Sequence, residues 1–538
     1  MYIRIKRVKN SQGKLREYLL VVEGKRVNGK VKQRVIANLG RVDILRDTDM
    51  ADLLLEKLVL YTKQKHLMDI ATTQCDYSKE YGVILILRRV WEDSGLEALF
   101  KKYLSKYKYK ISLSESIFAM VVSRIIRPIS EYKTFNWIED VYEPRWDGIS
   151  LQHLYRGLDF IARHKDDFEK EIFSMVTDLF SQELDLVMFD TTSIRYWGEG
   201  EEAAILKRGY SKEKRGDLKQ VIIGILMTKQ GVPVGCEIFP GNTSDLKSFV
   251  QVVEKVKRRY KIHKIIWVAD RGMVSKDNIR MLNELEQEYI LGVRMRQFDK
   301  ARRKELLSLN KMMPVREDLY VKEVKLEGEG RYIVCYNPKE AEIEFKKRQF
   351  FKLHLRKKIN TAHTKEWIIK NGYKKYIDFE GEISLNEERL REESQYDGKW
   401  VLLTNSALDS RDVALYYKNL WQIEACFRDL KQDLETSPIY HYKQRRIIAH
   451  IFVSFLSLLL KTILKKKLKQ IDRYASYTEV YEAIKKIKAV KLTSGKQEII
   501  FRTELPQNAY LAFKAVGTSP PPKVLHYTDK RSVVPRLG

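Results

Sequence analysis

The sequence predicts an α/β protein built around a mixed sheet that is covered by helices. The main observation lies in residues 184–295, where three short apolar runs precede a helical segment, a fourth run, a second helical segment and a fifth run. Strands that alternate with helices in this way are typical of a sheet with helices on its faces. Two flanking regions complete the prediction, with amphipathic helices in 82–180 and alternating strand-like stretches in 297–408.

Local patterns predict each element of the central part. The five apolar runs are LDLVMFD (184–190), QVIIGILMT (220–228), PVGCEIF (233–239), KIIWVAD (264–270) and YILGVRM (289–295). The first helix follows the turn PGNTSD (240–245), which supplies an N-cap. Its apolar residues recur at helical spacing, at Leu246, Phe249, Val250, Val253 and Val256. The second helix is predicted over 275–288.

The whole chain of 538 residues is expected to contain several structural parts. They are a β-rich N-terminal segment (1–70), a helical region (71–180), a first part of the core (181–296), a strand-rich insertion (297–408), a second part of the core with one long helix (409–465), and a basic, helical C-terminal tail (466–538).

The charge balance restricts the choice of partner. Lys and Arg number 100 against 72 Asp and Glu, so the formal net charge is +28. Such an excess predicts a polyanionic partner, with nucleic acid ahead of an anionic membrane surface; a basic but inert surface is the alternative. The four cysteines are scattered without a C-x-x-C pair, which argues against a zinc site or a disulfide framework and fits a reducing compartment.

One segment has the apolar character of a membrane helix. Residues 447–464 are almost entirely apolar but include His450 and Lys461. A buried core helix is the preferred interpretation. The N-terminus has no apolar stretch of signal-peptide length. We therefore expect a cytoplasmic protein without a membrane segment.

Two acids follow apolar strands. Asp190 and Asp270 each end a predicted strand, and functional groups gather at strand ends in α/β sheets. Carboxylates are the usual protein ligands of Mg²⁺. Either Asp could instead be a turn former or a helix cap.

A third acid lies on the predicted helix 410–434. At about 100° per residue, Tyr417, Glu424, Arg428 and Lys431 share one narrow face. A glutamate flanked by cations and a phenol suits a metal site beside a phosphate backbone. The alternative is a solvated face on which Glu424 pairs with Arg428.

Four motifs together resemble a known family. They are VMFDTTSIRYWG (187–198), GVPVGCEIFPGNTSDLKSF (231–249), IIWVADRGMVS (265–275) and YYKNLWQIEACFRDLK (416–431). The chain resembles the insertion-sequence 4 group of DDE transposases, particularly the insertion sequence 1634 branch. That group has a signature of Tyr, two residues, Arg, three residues, Glu, six residues and Lys. Tyr417, Glu424 and Lys431 match it, whereas Leu420 stands at the Arg position.

The resemblance implies a ribonuclease H-like catalytic core in which Asp190, Asp270 and Glu424 bind metal. Mg²⁺, or Mn²⁺ as a substitute, would support DNA cleavage at the element ends and joining to target DNA. The implied partners are double-stranded DNA, as terminal inverted repeats and target, and a second copy of the chain in a homodimer. The implied location is the bacterial cytoplasm, in association with the nucleoid. The phosphate contact of the missing Arg is either lost or supplied elsewhere, with Arg428 as the candidate substitute, and Arg271 is either a phosphate contact or a structural ion-pair partner.

Other readings stay open at this stage. A stand-alone nuclease of the same fold would cut without joining, and a non-catalytic DNA-binding relative would need a broken triad. Recognition of DNA ends is expected in the first 180 residues or so. Residues 191–193 and Asn242 are expected to shape turns near the site. Trp367 and Trp400 could each hold a flipped base, although buried core tryptophans are commoner.

Overall fold

The computed structural model divides the chain into two compact units. The residues that it describes are 2–9, 13–27, 30–48, 50–51, 53–54, 73–107, 113–179, 186–198, 203–210, 216–260, 265–326, 329–358, 368, 376–378, 384–495 and 497–529. The first unit comprises residues 1–78, 490–502 and 522–538, and the second comprises residues 79–489 and 503–521. The first unit therefore combines both ends of the chain, which the sequence did not indicate.

The strands and helices are numbered along the chain. The strands are β1 (Tyr2–Lys9), β2 (Leu15–Val27), β3 (Lys30–Arg41), β4 (Gln74–Glu80), β5 (Leu186–Arg195), β6 (Gln220–Thr228), β7 (Pro233–Pro240), β8 (Ile266–Ala269), β9 (Glu288–Val293), β10 (Met313–Arg316), β11 (Leu319–Leu326), β12 (Glu329–Tyr336), β13 (Ile377–Asp378), β14 (Ser384–Leu385), β15 (Lys399–Thr404), β16 (Lys488–Ser494), β17 (Gln497–Arg502) and β18 (Val524–Asp529). The helices are α1 (Val42–Asp47), α2 (Gly82–Asp93), α3 (Leu96–Leu104), α4 (Leu113–Ile126), α5 (Glu131–Ile138), α6 (Leu151–Leu179), α7 (Asp245–Tyr260), α8 (Lys276–Glu284), α9 (Lys300–Leu307), α10 (Pro338–Lys358), α11 (Glu387–Ser394), α12 (Ser410–Lys418), α13 (Trp421–Arg428), α14 (Gln444–Ile471), α15 (Tyr477–Lys485) and α16 (Ala509–Ala515).

The second unit is organised around one mixed sheet of nine strands. Its order is β10-β11-β12-β15-β9-β8-β5-β6-β7. Strand β5 is parallel to β8 on one side and antiparallel to β6 on the other, and β8 is parallel to β9. The α/β fold class is confirmed, and the succession of three strands, helix, strand, helix and strand occurs as predicted.

The region between β9 and α12 extends this sheet. Strand β15 pairs antiparallel with β9, and β12 and β11 follow outward. Helices α9, α10 and α11 also belong to this region. The sequence predicted a strand-rich insertion, and its larger strands continue the core sheet because β15 returns to the edge that β9 leaves open.

Close packing of aromatic rings fixes β5 within the sheet. A Cβ atom on Gly224 of β6 would lie 2.5 Å from a ring carbon of Phe189, so glycine leaves room for that ring. Phe189 faces Phe249 of α7 at 6.0 Å between ring centroids, and Phe249 meets Trp267 of β8 edge-on at 5.8 Å. These contacts hold the residue before Asp190 in a single position.

The apolar segment 447–464 belongs to the core of the second unit. It forms most of α14, which packs against α4, α6 and β7. This is the one helix in the described residues that is long and apolar enough to cross a membrane, and 94% of its most apolar window is buried within the protein. Helix α4 is buried along its whole length, so α4 and α14 bury apolar surface against each other.

The C-terminal tail differs from the helical prediction. Helices α15 and α16 are present, but β16, β17 and β18 accompany them and form a four-stranded sheet with β4. Strand formation here depends on distant pairing partners, which local sequence patterns do not report. Three consecutive prolines, Pro520, Pro521 and Pro522, lie just before β18.

A buried ion pair joins α6 to the sheet. Lys165 Nζ lies 2.7 Å from Glu169 Oε1, and the same oxygen accepts the backbone N–H of Cys236 in β7 at 2.9 Å. Burial lowers the pKa of Lys165, but the carboxylates of Glu169 and Glu237 outweigh that effect and hold the pKa above its ordinary value. The ammonium group therefore stays charged inside the core.

We expect Glu169→Gln to lower the stability of the protein by roughly 3 kcal/mol, because it leaves the Lys165 charge without its main partner. Thermal unfolding followed by circular dichroism measures the effect. Glu171→Gln on the same helix is the matched control, since it breaks only the exposed pair with Lys102. Equal midpoints for the two variants would contradict the prediction.

Candidate active site

A cavity of about 1030 Å³ opens on the second unit where β5, β8 and β9 approach α12 and α13. Residues from seven separate parts of the sequence reach its wall. They are Asp190, Asp270, Arg271, Gly292–Gln297, Glu340, Glu344, Tyr396, Lys399–Val401, Tyr417, Lys418, Leu420, Trp421 and Glu424. All three acids that the sequence singled out therefore border the same space.

Each of the three carboxylates reaches the cavity from a different element. Asp190 is half-buried and lies in the middle of β5, because that strand continues to Arg195 instead of ending at Asp190 as predicted. Asp270 directly follows β8 as predicted, Glu424 lies on α13, and both have exposed side chains. Asp270 begins a single 3₁₀ turn, yet its side chain makes no capping hydrogen bond. The geometry therefore does not support the alternative role of Asp270 as a helix cap.

The three carboxylates face one another across the cavity without closing on a single point. Among the described residues, three ligand atoms come within 4.8 Å of one another at Glu131, His441 and His450. The three acids at the cavity do not form such a group. The spacing of the three acids is therefore wider than a compact single-ion site. Carboxylates at the two ends of a pair of cations are separated by about 8 Å, since the ions lie ~4 Å apart with oxygen ligands at ~2 Å.

A tyrosine fixes the orientation of Asp270. Tyr417 Oη donates a hydrogen bond of 2.8 Å to Asp270 Oδ1. Burial and the neighbouring Asp270 carboxylate both raise the pKa of Tyr417, so the phenol keeps its proton and stays a donor. A Cβ atom on Gly292 would lie 2.2 Å from Tyr417 Oη, which means that the glycine in β9 makes this contact possible.

A fourth acid supports the strand that carries Asp190. The Asp190 carboxylate accepts the backbone N–H of Thr191 at 2.7 Å, and the Thr191 hydroxyl donates to Asp245 Oδ1 at 2.5 Å. The other oxygen of Asp245 lies 3.5 Å from the position of a Cβ atom on Gly272. Asp245 thus contacts the middle of β5 through Thr191 and lies close to Gly272, in the turn that follows β8. Sequence reasoning assigned it only to a turn, although PGNTSD was the signal that could have marked it.

The predicted helix 410–434 is interrupted, which changes the expected stripe. The turn tightens after α12, where Leu420 N–H bonds to the carbonyl of Tyr417, and it widens after α13, where Leu434 N–H reaches the carbonyl of Asp429. The regular advance of 100° per residue therefore fails on both sides of α13. Tyr417 and Glu424 face the cavity, whereas Arg428 and Lys431 lie outside its wall.

Several cations line the cavity that the sequence did not single out. Arg271 was expected there and is exposed at its wall. The others are Arg294, Arg296, Lys399 and Lys418. Lys418 pairs with Asp318 at 2.6 Å. Leu420, at the signature Arg position, also borders the cavity, so positive charge reaches this wall from neighbouring residues.

Two tryptophans border the cavity. Trp400 is half-buried, with an indole N–H that is enclosed without an acceptor among the described residues. Trp421 is 60% exposed and directly follows Leu420. The sequence analysis considered Trp400 and overlooked Trp421, because a tryptophan within a predicted helix gave no sign of exposure. Trp367 lies outside the described residues.

Comparison with solved structures gives distant similarities. A piggyBac transposase synaptic complex with hairpin DNA matches 75% of this chain and 79% of its own chain, at 8% identity and a TM-score of 0.37. A Mos1 transposase paired-end complex with the left transposon end matches 34% of this chain and 60% of its own, at 10% identity and a TM-score of 0.15. A search of curated proteins finds no match.

Family models give the decisive comparison. The N-terminal domain of IS1634 family transposases matches residues 3–66. The transposase DDE domain matches residues 181–460, which include the nine-stranded ribonuclease H-like sheet, the cavity and all three acids. Because this match covers more than half of the chain, the protein belongs to the DDE transposases, the metal-dependent enzymes that cut DNA and transfer its strands.

Proposed function

We propose that Asp190, Asp270 and Glu424 are the catalytic carboxylates of this transposase and that they hold Mg²⁺, with Mn²⁺ as a substitute. One observation carries the proposal: three acids far apart in the sequence border one cavity, between the sheet and the helix pair α12 and α13. Their ligand atoms do not all lie within 4.8 Å of one another, so the three acids do not form a compact cluster around a single point. Carboxylate oxygens are the hard donors that Mg²⁺ prefers, so the donor set fits the ion.

Bound divalent cations would make a water or a DNA 3′-hydroxyl more acidic and would stabilise the departing oxygen at phosphorus. The protein's own residues position the reacting groups. The Tyr417 hydroxyl holds one Asp270 oxygen and leaves the other free. Arg271 and Lys418 place positive charge at the cavity wall, where phosphate oxygens would lie. Asp245 and Thr191 hold the strand beneath Asp190.

The substrate that we propose is double-stranded DNA, first as the terminal inverted repeats of an insertion sequence and then as target. Cleavage would free a 3′-hydroxyl at each end, and this hydroxyl would then join to target DNA. We propose that Arg428 and Lys431, which lie beyond the cavity along the same segment, bind the DNA backbone as it leaves the site. A homodimer would hold two ends together, in the cytoplasm of a bacterium and associated with its nucleoid.

Removing any one carboxylate is expected to abolish catalysis. Asp190→Asn, Asp270→Asn and Glu424→Gln should each eliminate Mg²⁺-dependent cleavage and strand transfer on DNA that carries the element ends, while end binding in a gel-shift assay persists. Glu340→Gln is a matched control, since Glu340 borders the same cavity outside the proposed triad. Metal-dependent nicking that survives in one of the three variants would remove that residue from the triad.

The packing of Gly292 against Tyr417 yields a second prediction. Gly292→Ala should lower the Mg²⁺-dependent cleavage rate about tenfold, because the added methyl group displaces the hydroxyl from Asp270. Tyr417→Phe should have an effect of similar size. The double variant should be little worse than either single variant, and the cleavage rates of all four proteins measure this coupling. Full additivity would contradict the shared mechanism.

The contribution of Lys431 to DNA binding can be separated from catalysis. We expect Lys431→Ala to weaken binding of the element ends uniformly and to reduce the slope of log affinity against log salt concentration by about one. Fluorescence anisotropy at several salt concentrations gives the slope. Lys514→Ala, which alters an exposed lysine on α16, is the control. An unchanged slope in Lys431→Ala would argue against a phosphate contact there.

A further inference from the structure

Three exposed aromatic side chains lie on two segments whose backbones pair just beyond the end of β5. The exposed fractions are 59% for Trp197, 64% for Tyr440 and 52% for Tyr442. These three residues are called the aromatic row below. Large aromatic groups usually bury most of their surface, so a contiguous exposed set marks an interaction site.

Backbone pairing explains why two members of the aromatic row are neighbours. Tyr196 and Ile439 form a parallel bridge, in which Ile439 N–H bonds to the carbonyl of Arg195 and Trp197 N–H bonds to the carbonyl of Ile439, both at 2.9 Å. Tyr196 and Ile439 are buried. Because side chains alternate along extended chains, Trp197 and Tyr440 point to the opposite, outer face.

Buried contacts hold the aromatic row in place from below. His441 lies between Tyr440 and Tyr442 and points inward, where its Nε2 atom is 2.9 Å from the buried carboxylate of Glu131. On the other side of the bridge, the backbone N–H of Arg195 donates to the Ser437 hydroxyl. The surface is therefore fixed before any partner arrives, which reduces the entropy lost on binding.

Cationic residues lie near both segments of the aromatic row. Lys443 Nζ lies 5.8 Å from the centre of the Tyr442 ring. On the opposite side, the backbone of Lys207 pairs with Gln220, the residue of β6 that faces Arg195. Lys207 and the adjacent Arg208 both have exposed side chains. Aromatic faces set among cations match the chemistry of a nucleic-acid strand.

We propose that the aromatic row binds an unpaired DNA strand, with bases stacked on Trp197 and Tyr440 and phosphates near Lys443. A duplex hides the faces of its bases, so the stacking surface is useful only where strands separate. Asp190 and Trp197 are seven positions apart on one extended segment, about 23 Å at the usual rise per residue. At about 3.4 Å per base pair, that span corresponds to roughly seven base pairs. The proposal rests on the proposed DNA substrate and names a further contact with it.

Binding measurements without divalent ions test the aromatic row independently of catalysis. Fluorescence anisotropy of the full chain in EDTA would compare a short labelled thymidine oligonucleotide with a blunt duplex of equal length. We expect Trp197→Ala and Tyr440→Ala each to weaken binding of the single strand about tenfold while leaving duplex binding nearly unchanged. Trp197→Phe, which keeps an aromatic face, should retain most of the affinity.

The controls separate this proposal from folding effects and from the proposed catalytic function. Tyr474→Ala removes an aromatic residue that is 90% exposed just beyond the opposite end of α14, and should change neither affinity. Asp270→Asn should bind the single strand normally, so a failed triad would not disturb the result. Equal losses for both DNA forms, or no loss for either, would overturn the proposal. So would an altered oligomeric state in light scattering with unchanged DNA binding, since the row would then contact protein.

Discussion

The electrostatic repulsion among three carboxylates is the constraint on which the proposed active site depends. Two like charges 4 Å apart repel by about 4 kcal/mol at the effective dielectric constant of a protein surface. The chain offsets this repulsion by keeping the three acids across a cavity rather than in one cluster, and by lining the same wall with Arg271 and Lys418. The spacing also leaves room for positively charged ions between the carboxylates. The wide arrangement of the acids and the cationic wall thus have a common electrostatic origin.

Backbone pairing in the sheet and side-chain hydrogen bonds hold the acids in position. Asp190 pairs with Ile225 of β6, whereas the pairing of β5 with β8 ends at Met188, so the ladder with β6 holds the backbone at Asp190. Asp270 stands where β8 has already ended, and it gains its orientation from the Tyr417 hydroxyl instead. Glycines at 224 and 292 provide the space that these contacts require. The parts of the site that are least constrained by the sheet are therefore those that receive side-chain support.

The local sequence signals were sufficient for the sheet and for the position of Asp270 at a strand end, whereas β5 continues five residues past Asp190, to Arg195. Asp190 and Asp270 follow continuous apolar runs, a pattern that depends only on neighbouring residues. The prediction that Arg428 and Lys431 share a helix face with Tyr417 and Glu424 was less accurate. A fixed rotation per residue cannot anticipate the tight turn at Leu420 or the wide turn after α13. The strands near the C-terminus and the extension of the core sheet by β15 depend on partners distant in the sequence. Such pairings leave no periodic trace in the segment itself.

The segment that follows Glu424 links catalysis to the aromatic row. After α13 and its π turn, the chain is held at three points: Thr436 accepts a hydrogen bond from His450, Ile439 pairs with the end of β5, and His441 meets Glu131. Burial raises the pKa of Glu131, but its contacts with His441 and His450 outweigh that effect and hold the pKa well below its usual range. The Glu131 carboxylate therefore stays ionised and keeps its contacts with His441 and His450. Asp190 lies in the middle of β5, and Ile439 pairs beside the C-terminal end of that strand, so one continuous strand joins the proposed metal ligand Asp190 to the aromatic row. A DNA strand in contact with both Asp190 and the aromatic row would therefore bind two positions whose separation is fixed by a β-strand and not by a mobile loop.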